Sequence, residues 1–309
     1  MKTKSISIIA VLTALFALSI IGCVKEEKAK RKKVIDTWTF HYFKQRATYL
    51  VGNPDRHPSR SLYWKENGRA FTVFFVQDGM ITQGGDFYSN ETSLTEEQRS
   101  SIDLTYDVDV PPSIRRENQY DYNVIALGGY DSYTLTDGNI VIKMDLNRDA
   151  GFNLWDVGYT SKNGNKIEQN TNSKSLCTYE DVLVKNKTSK PITVKHKGFE
   201  ADEKWYWTKA TVSITPQLKA IPQGVSQSGE VESENIEIPS HDYAAIWSKY
   251  IPTGKHIKDA RLVLEIDGKV VKTPPVSSDI DIEYGEYYTM AVKWDGENLD
   301  WVYNVDEDF

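Results

Sequence analysis

Residues 70–77 read AFTVFFVQ and are followed by Asp78-Gly79-Met80-Ile81-Thr82. An unbroken apolar run of this length, cut by Asp-Gly and then resumed, is the pattern of a strand buried on both faces that turns into a hairpin. Gly84-Gly85 reads as a breaker after the second strand. Upstream, Thr37-Trp38-Thr39-Phe40-His41-Tyr42-Phe43 alternates with a period of two, as a half-buried strand does. Downstream, strands are predicted at 102–110, 120–127 and 140–146, with Pro111-Pro112 and Gly128-Gly129 closing the first two. The series continues at 181–185, 191–196, 207–215, 235–238, 260–266, 269–273, 287–294 and 300–305. Asp267-Gly268 has the spacing of a two-residue hairpin, and Asp295-Gly296 sits in a longer loop. Residues 93–101 are the best helical stretch, with Ser93 or Thr95 as cap, and residues 163–175 read as an exposed polar loop. Short strands with Gly and Pro punctuation define an all-β chain of β-sandwich type. Residues 216–234 hold Pro222, Gly224 and Gly229 among Ser and Gln, which places a domain boundary near residue 217. The expected domains are therefore residues 34–216 and 217–309.

The N-terminal end has a different character. Lys2 and Lys4 precede an apolar run over residues 6–21, which ends in Ile20-Ile21-Gly22-Cys23. Residues 1–22 have the charge and length pattern of a secretory signal peptide. The four residues ending in Cys23 resemble the lipobox of bacterial lipoproteins, which implies acylation of Cys23 and anchoring in a membrane by several acyl chains. Lys25-Glu26-Glu27 resembles the signal that sends Bacteroidetes lipoproteins to the outer face of the outer membrane. Residues 23–33 are a charged tether with nothing to bury. Its basic cluster around Arg31 offers a protease site, or is simply a solvated stalk.

Composition excludes some functions. The net charge is −7, and the signal segment contains two of the lysines and no acid, so the remainder is more acidic still. Such a chain is poorly suited to binding nucleic acid by phosphate neutralisation. Cys177 is the one cysteine besides Cys23, so stability must come from apolar burial and not from disulfides. The five histidines lack metal-ligand spacing, and no zinc, nucleophile-elbow, phosphate-loop or Cys-x-x-Cys motif is present. No cofactor is expected. Acids are abundant enough that a glycosidase pair stays open, but nothing singles one out. Asp145, Asn147, Asp149 and Asp156 have oxygen donors at positions one, three, five and twelve of a span that would suit calcium, although the glycine is displaced and flanking helices are lacking. A polar loop after a strand explains the same residues. Trp205-Tyr206-Trp207, Tyr130 with Tyr133, and Tyr284 with Tyr287 and Tyr288 could stack on sugars, but aromatics in sheets mostly fill cores. Trp205 and Trp207 are the best candidates, since neighbours along a strand point to opposite faces.

Taken in order, these stretches resemble the fimbrillin family, the pilin-like lipoproteins of Bacteroidetes. The resemblance is carried by residues 71–76 with Asp78-Gly79, by residues 120–127, by the run 181–184, 191–196 and 210–214, and by Tyr284-Gly285-Glu286-Tyr287-Tyr288-Thr289 with Trp294 and Trp301. It implies two transthyretin-like or Ig-like β-sandwiches and no catalytic residues. It also implies that proteolysis after an arginine removes a leading strand and that the next subunit supplies a replacement. Arg31 and Arg46 are the candidate positions, and a cut at Arg46 would release residues 37–43. The expected function is a non-enzymatic surface lipoprotein acting in fimbria assembly or adhesion, with other fimbrial subunits and host or glycan ligands as partners. The rival reading is a glycan-binding outer-membrane lipoprotein that serves polysaccharide uptake.

Overall fold

The computed structural model describes residues 35–40, 44–51, 59–61, 69–88, 93–99, 104–114, 122–128, 130, 132–146, 154–159, 166–167, 174–201, 204–226, 231, 233–254, 256–276 and 279–304. The expected signal peptide over residues 1–22, the expected tether with Cys23 and Arg31, and Asn147 and Asp149 lie outside the described residues. By its contacts the chain divides into Met1–Ile35 and Asp36–Phe309, and the second unit holds the architecture described below.

Strands Arg69–Gln77 and Met80–Tyr88 form the hairpin that the sequence predicts. Asp78 and Gly79 both have positive φ, 51° and 75°, which matches the twist a two-residue hairpin needs. Asp137-Gly138 and Asp267-Gly268 repeat the device, and the first of these joins a hairpin that composition did not reveal.

This hairpin belongs to a five-stranded sheet in the order Lys174–Ser175, Leu154–Tyr159, Asn123–Gly128, Arg69–Gln77, Met80–Tyr88. One face packs Phe74, Val76, Ile125 and Leu127 against Ile140, Ile142, Val212 and Ile214. These last four come from a four-stranded sheet ordered Ala220–Ser226, Lys209–Ile214, Asn139–Asp145, Ser132–Thr136. The opposite face carries Phe71, Val73, Phe75, Val124 and Ala126, which pack with Trp38, Leu104 and Val108. Trp38, Leu104 and Val108 belong to a three-stranded sheet ordered Lys166–Ile167, Ile35–Phe40, Leu104–Asp109. Burial on both faces is why residues 70–77 show no alternation.

A second sandwich forms the other half. Its larger sheet runs Tyr206–Trp207, Tyr243–Pro252, Thr178–Asn186, Tyr287–Trp294, Leu299–Trp301, and Thr48–Tyr49 pairs parallel with Tyr287–Trp294. It faces Ile236–Ile238, Ile192–Glu200, Arg261–Ile266 and Lys269–Lys272. Val182, Val184, Ile246 and Met290 meet Val194, Leu262 and Leu264 in the core between them. The chain is thus all-β in two sandwiches, with one short helix, Glu96–Arg99, among the described residues. Thr95 caps that helix: its Oγ1 accepts from the Gln98 amide at 3.2 Å, and Gln98 Oε1 accepts from the Thr95 amide at 2.9 Å.

Three expectations need correction. The boundary near residue 217 falls in the turn joining Lys209–Ile214 to Ala220–Ser226, two paired strands of one sheet. Moreover, Thr178–Asn186 and Ile192–Glu200 pair with strands beyond that point. Pro222 and Gly224 stand in an edge strand, where the missing N–H of Pro222 breaks no interior ladder. Gly84-Gly85 does not end a strand, because Met80–Tyr88 runs through it past a register shift at Val73/Phe74. A Cβ on Gly84 would collide with the Phe75 ring, so the glycine admits an aromatic instead of breaking the strand. Finally, the ten-residue strand Tyr243–Pro252 went unpredicted.

Replacing Gly84 with Ala is expected to lower stability by about 1–3 kcal/mol through overpacking against Phe75. Urea unfolding should show a lower midpoint at an unchanged slope.

Candidate functional site

Trp38, on Ile35–Phe40, is fully buried and its ring centroid lies 5.4 Å from that of Phe75. Arg46 follows on the short strand Lys44–Arg46, which pairs with Ser59–Ser61, and its side chain is exposed. Immediately after it the chain is pinned. Ala47 is buried in the core between the five- and four-stranded sheets, the Leu50 amide donates to the Thr289 carbonyl at 3.0 Å, and Val51 is buried in the C-terminal core. Arg46 therefore sits between a strand that covers an apolar face and a segment held firmly elsewhere.

The aromatic triplet splits. Trp205 and Tyr206 are both buried, with Trp205 5.2 Å from Phe199 and from Tyr250 between centroids. Gly198 makes room for them at a bulge after His196: its φ is 107°, and a Cβ there would strike the Tyr206 hydroxyl. Trp205 is thus core and is withdrawn as a ligand contact. Trp207 is only half-buried, and its indole lies over Gly224, where a Cβ would collide with the ring. It lines an open cleft of about 580 Å³ with Pro222, Pro252, Thr253, Asp281 and Glu283. These partners are far from Trp207 in sequence, so no local pattern pointed to them.

The other aromatic candidates pack into cores, and Tyr284 also lines the cleft. Tyr130 and Tyr133 meet edge to face at 5.8 Å, and Tyr133 also meets Phe74 at 5.0 Å. The Tyr287 hydroxyl donates to Asp181, the Tyr284 hydroxyl donates to the Leu176 carbonyl at 3.1 Å, and the Tyr288 hydroxyl accepts from the Glu283 amide at 3.0 Å. Burial raises the pKa of both Tyr284 and Tyr288 above the usual phenol range.

The calcium spacing is not matched by one loop. Asp145 ends Asn139–Asp145 and its carboxylate pairs with Lys209 at 2.9 Å, while Asp156 stands in Leu154–Tyr159 of the facing sheet. Cys177 is a buried thiol outside any disulfide, and burial pushes its pKa up, as for a small core hydrophobe.

The cleft-lining Asp281 is bonded to Nδ1 of His256, whose Nε2 lies 2.9 Å from Asp279. Those carboxylates, Asp281 foremost, raise its pKa. Two further titratable groups lie inside the C-terminal sandwich. His196 is fully buried, its amide donates to Ser233 Oγ at 2.7 Å, and burial lowers its pKa to about 4. Glu180 is also fully buried, and desolvation holds its carboxyl well above the usual range against the opposing pull of the Tyr250 hydroxyl.

No family model matches the chain, and no curated protein matches it. Its fold is similar to solved structures of adhesion and fimbrial proteins. One is a proposed cell adhesion protein from Bacteroides uniformis, with TM-score 0.48 and 12% identity over 84% of this chain and 94% of that one. Another is a tip fimbrial protein from Porphyromonas gingivalis, with TM-score 0.36 and 8% identity over 86% and 97%. A fimbrial anchor protein from the same organism gives 0.34 and 9% over 87% and 96%.

The buried pair gives opposite pH dependences. The unfolded chain takes up a proton on His196 near pH 6.5 but the folded chain only near 4, so this contribution is intact above 6.5 and falls by about 3 kcal/mol between those values. His196→Leu should flatten that limb in urea titrations. Glu180 has the reverse sign: its folded pKa is raised, so its contribution is fully present below about 4.5 and is lost as pH rises through the folded pKa. Glu180→Gln is expected to gain stability over the parent as pH rises, measured by thermal melts from pH 4 upward.

Proposed function

We propose that this protein is a fimbrillin-like structural and adhesive subunit of a surface fimbria, anchored in the outer membrane through lipid on Cys23. Assembly with other fimbrial subunits proceeds by strand exchange. The observation that carries the reading is the placement of Ile35–Phe40. This strand lies between Lys166–Ile167 and Leu104–Asp109, covers Phe71, Val73 and Phe75 with Trp38, and is followed by exposed Arg46. Removing it would leave an apolar trough with open backbone on both sides, the surface that an incoming strand completes. The pinned residues 47–51 would keep the cut end in place. The Ile20-Ile21-Gly22-Cys23 motif and the two-sandwich architecture support the same reading.

The test is limited trypsin digestion of the mature protein, followed by gels run in SDS without boiling and N-terminal sequencing of the products. A cut after Arg46 that yields a heat-sensitive oligomer ladder, lost in Arg46→Gln and retained in Arg31→Gln, is the expected result. A trimmed protein that stays monomeric would reject stalk assembly and leave a static anchor or tip role.

A further inference from the structure

The cleft beside Trp207 has two unlike walls. One is flat and apolar, made by the indole of Trp207 with Pro222 and Pro252. The indole is held in place from behind by Gly224, whose lack of a side chain lets the ring lie against the edge strand. The other wall is the loop bearing Asp281 and Glu283, both exposed. Thr253 also lines the cleft, but its hydroxyl oxygen is shielded from solvent and so from a ligand as well. The volume, about 580 Å³, is in the range of small-molecule sites.

Charge narrows the ligand class. Carboxylates at the mouth disfavour phosphates, sulfates and acidic sugars. A cationic ligand is poorly served as well, because Asp281 already bonds His256, which also holds Asp279. What remains is hydrogen-bond acceptor capacity opposite an aromatic face. A pyranose ring fits both, since its C–H face lies on the negative face of an aromatic ring while its hydroxyls donate to carboxylates.

We propose that this cleft binds a short neutral oligosaccharide, with one sugar ring stacked on Trp207 and sugar hydroxyls donated to Asp281 and Glu283. Trp205 takes no part. The site does not depend on strand exchange: it is built from residues 207, 222, 252–254 and 281–284, outside the strand Ile35–Phe40.

The test is calorimetric titration of the mature full-length protein with maltotriose, cellotriose, mannotriose and chitotriose, with tryptophan emission followed in parallel. At least one is expected to bind with Kd between about 10 µM and 1 mM. Trp207→Ala and Glu283→Gln should each weaken that binding at least about tenfold. Because Trp207 also packs on Gly224, Trp207→Phe and a melting curve for every variant separate loss of the ring from loss of the fold. Glu283→Gln changes an exposed side chain and tests the acceptor role independently. Three results would overturn the proposal: no binding of any of the four at about 10 mM, equal binding by the parent and both principal variants, or preferential binding of hexalysine at this cleft. The oligomer ladder is read on separate gels, so failure here leaves the assembly reading standing, and the reverse also holds.

Discussion

Arg69–Gln77 and Asn123–Gly128, neighbours in the five-stranded sheet of the N-terminal half, have no face for water. Phe74, Ile125 and Leu127 point one way, and Phe71, Val73, Phe75 and Val124 the other. Each face must be covered by another layer, because exposing either would cost about 25 cal/mol for every square ångström of apolar surface. One cover comes from 132–145 together with 209–226, and the other from the start of the chain with 104–109 and 166–167. The interleaved topology satisfies that requirement: the chain builds part of the C-terminal sandwich with 178–200, then returns to finish the N-terminal one. The same demand gives the leading strand its importance, for it is a cover supplied from a chain end.

Much of this was legible. Residues 70–77 showed their double-sided burial as a mostly apolar run without alternation, and Asp78-Gly79 and Asp267-Gly268 gave their turns by dipeptide alone. The failures share a cause. Tyr243–Pro252 and Ala220–Ser226 each mix small, polar and proline residues, because the first carries Trp247 and Tyr243 on an exposed face and the second is a sheet edge. Neither has a clean period to detect. Gly84 misled because its job, accommodating Phe75, is defined by a neighbour on another strand. The cleft was half legible: the sequence offered Trp205 and Trp207 together, only Trp207 reaches the cleft, and Pro252, Asp281 and Glu283 join it only through folding.

The C-terminal core is less uniform than its apolar residues imply. It takes in Glu180 and His196, fully buried on strands of facing sheets, together with Tyr250 and Trp205. Keeping a histidine neutral and a carboxyl protonated in such a place trades stability for polarity, and the two trades run in opposite pH directions. Together they flatten the response of this core to acidity over part of the range, although each group alone would tilt it.

Residues 35–51 touch every core that the fold possesses: Trp38 enters the outer layer, Ala47 the N-terminal sandwich and Val51 the C-terminal one. Thr48–Tyr49 adds backbone bonds to Tyr287–Trp294, a strand near the opposite end of the chain. Under mechanical load this segment behaves as a running stitch. A force applied at the N-terminal end passes into three separate cores in succession, and drawing the thread out requires each to yield in turn.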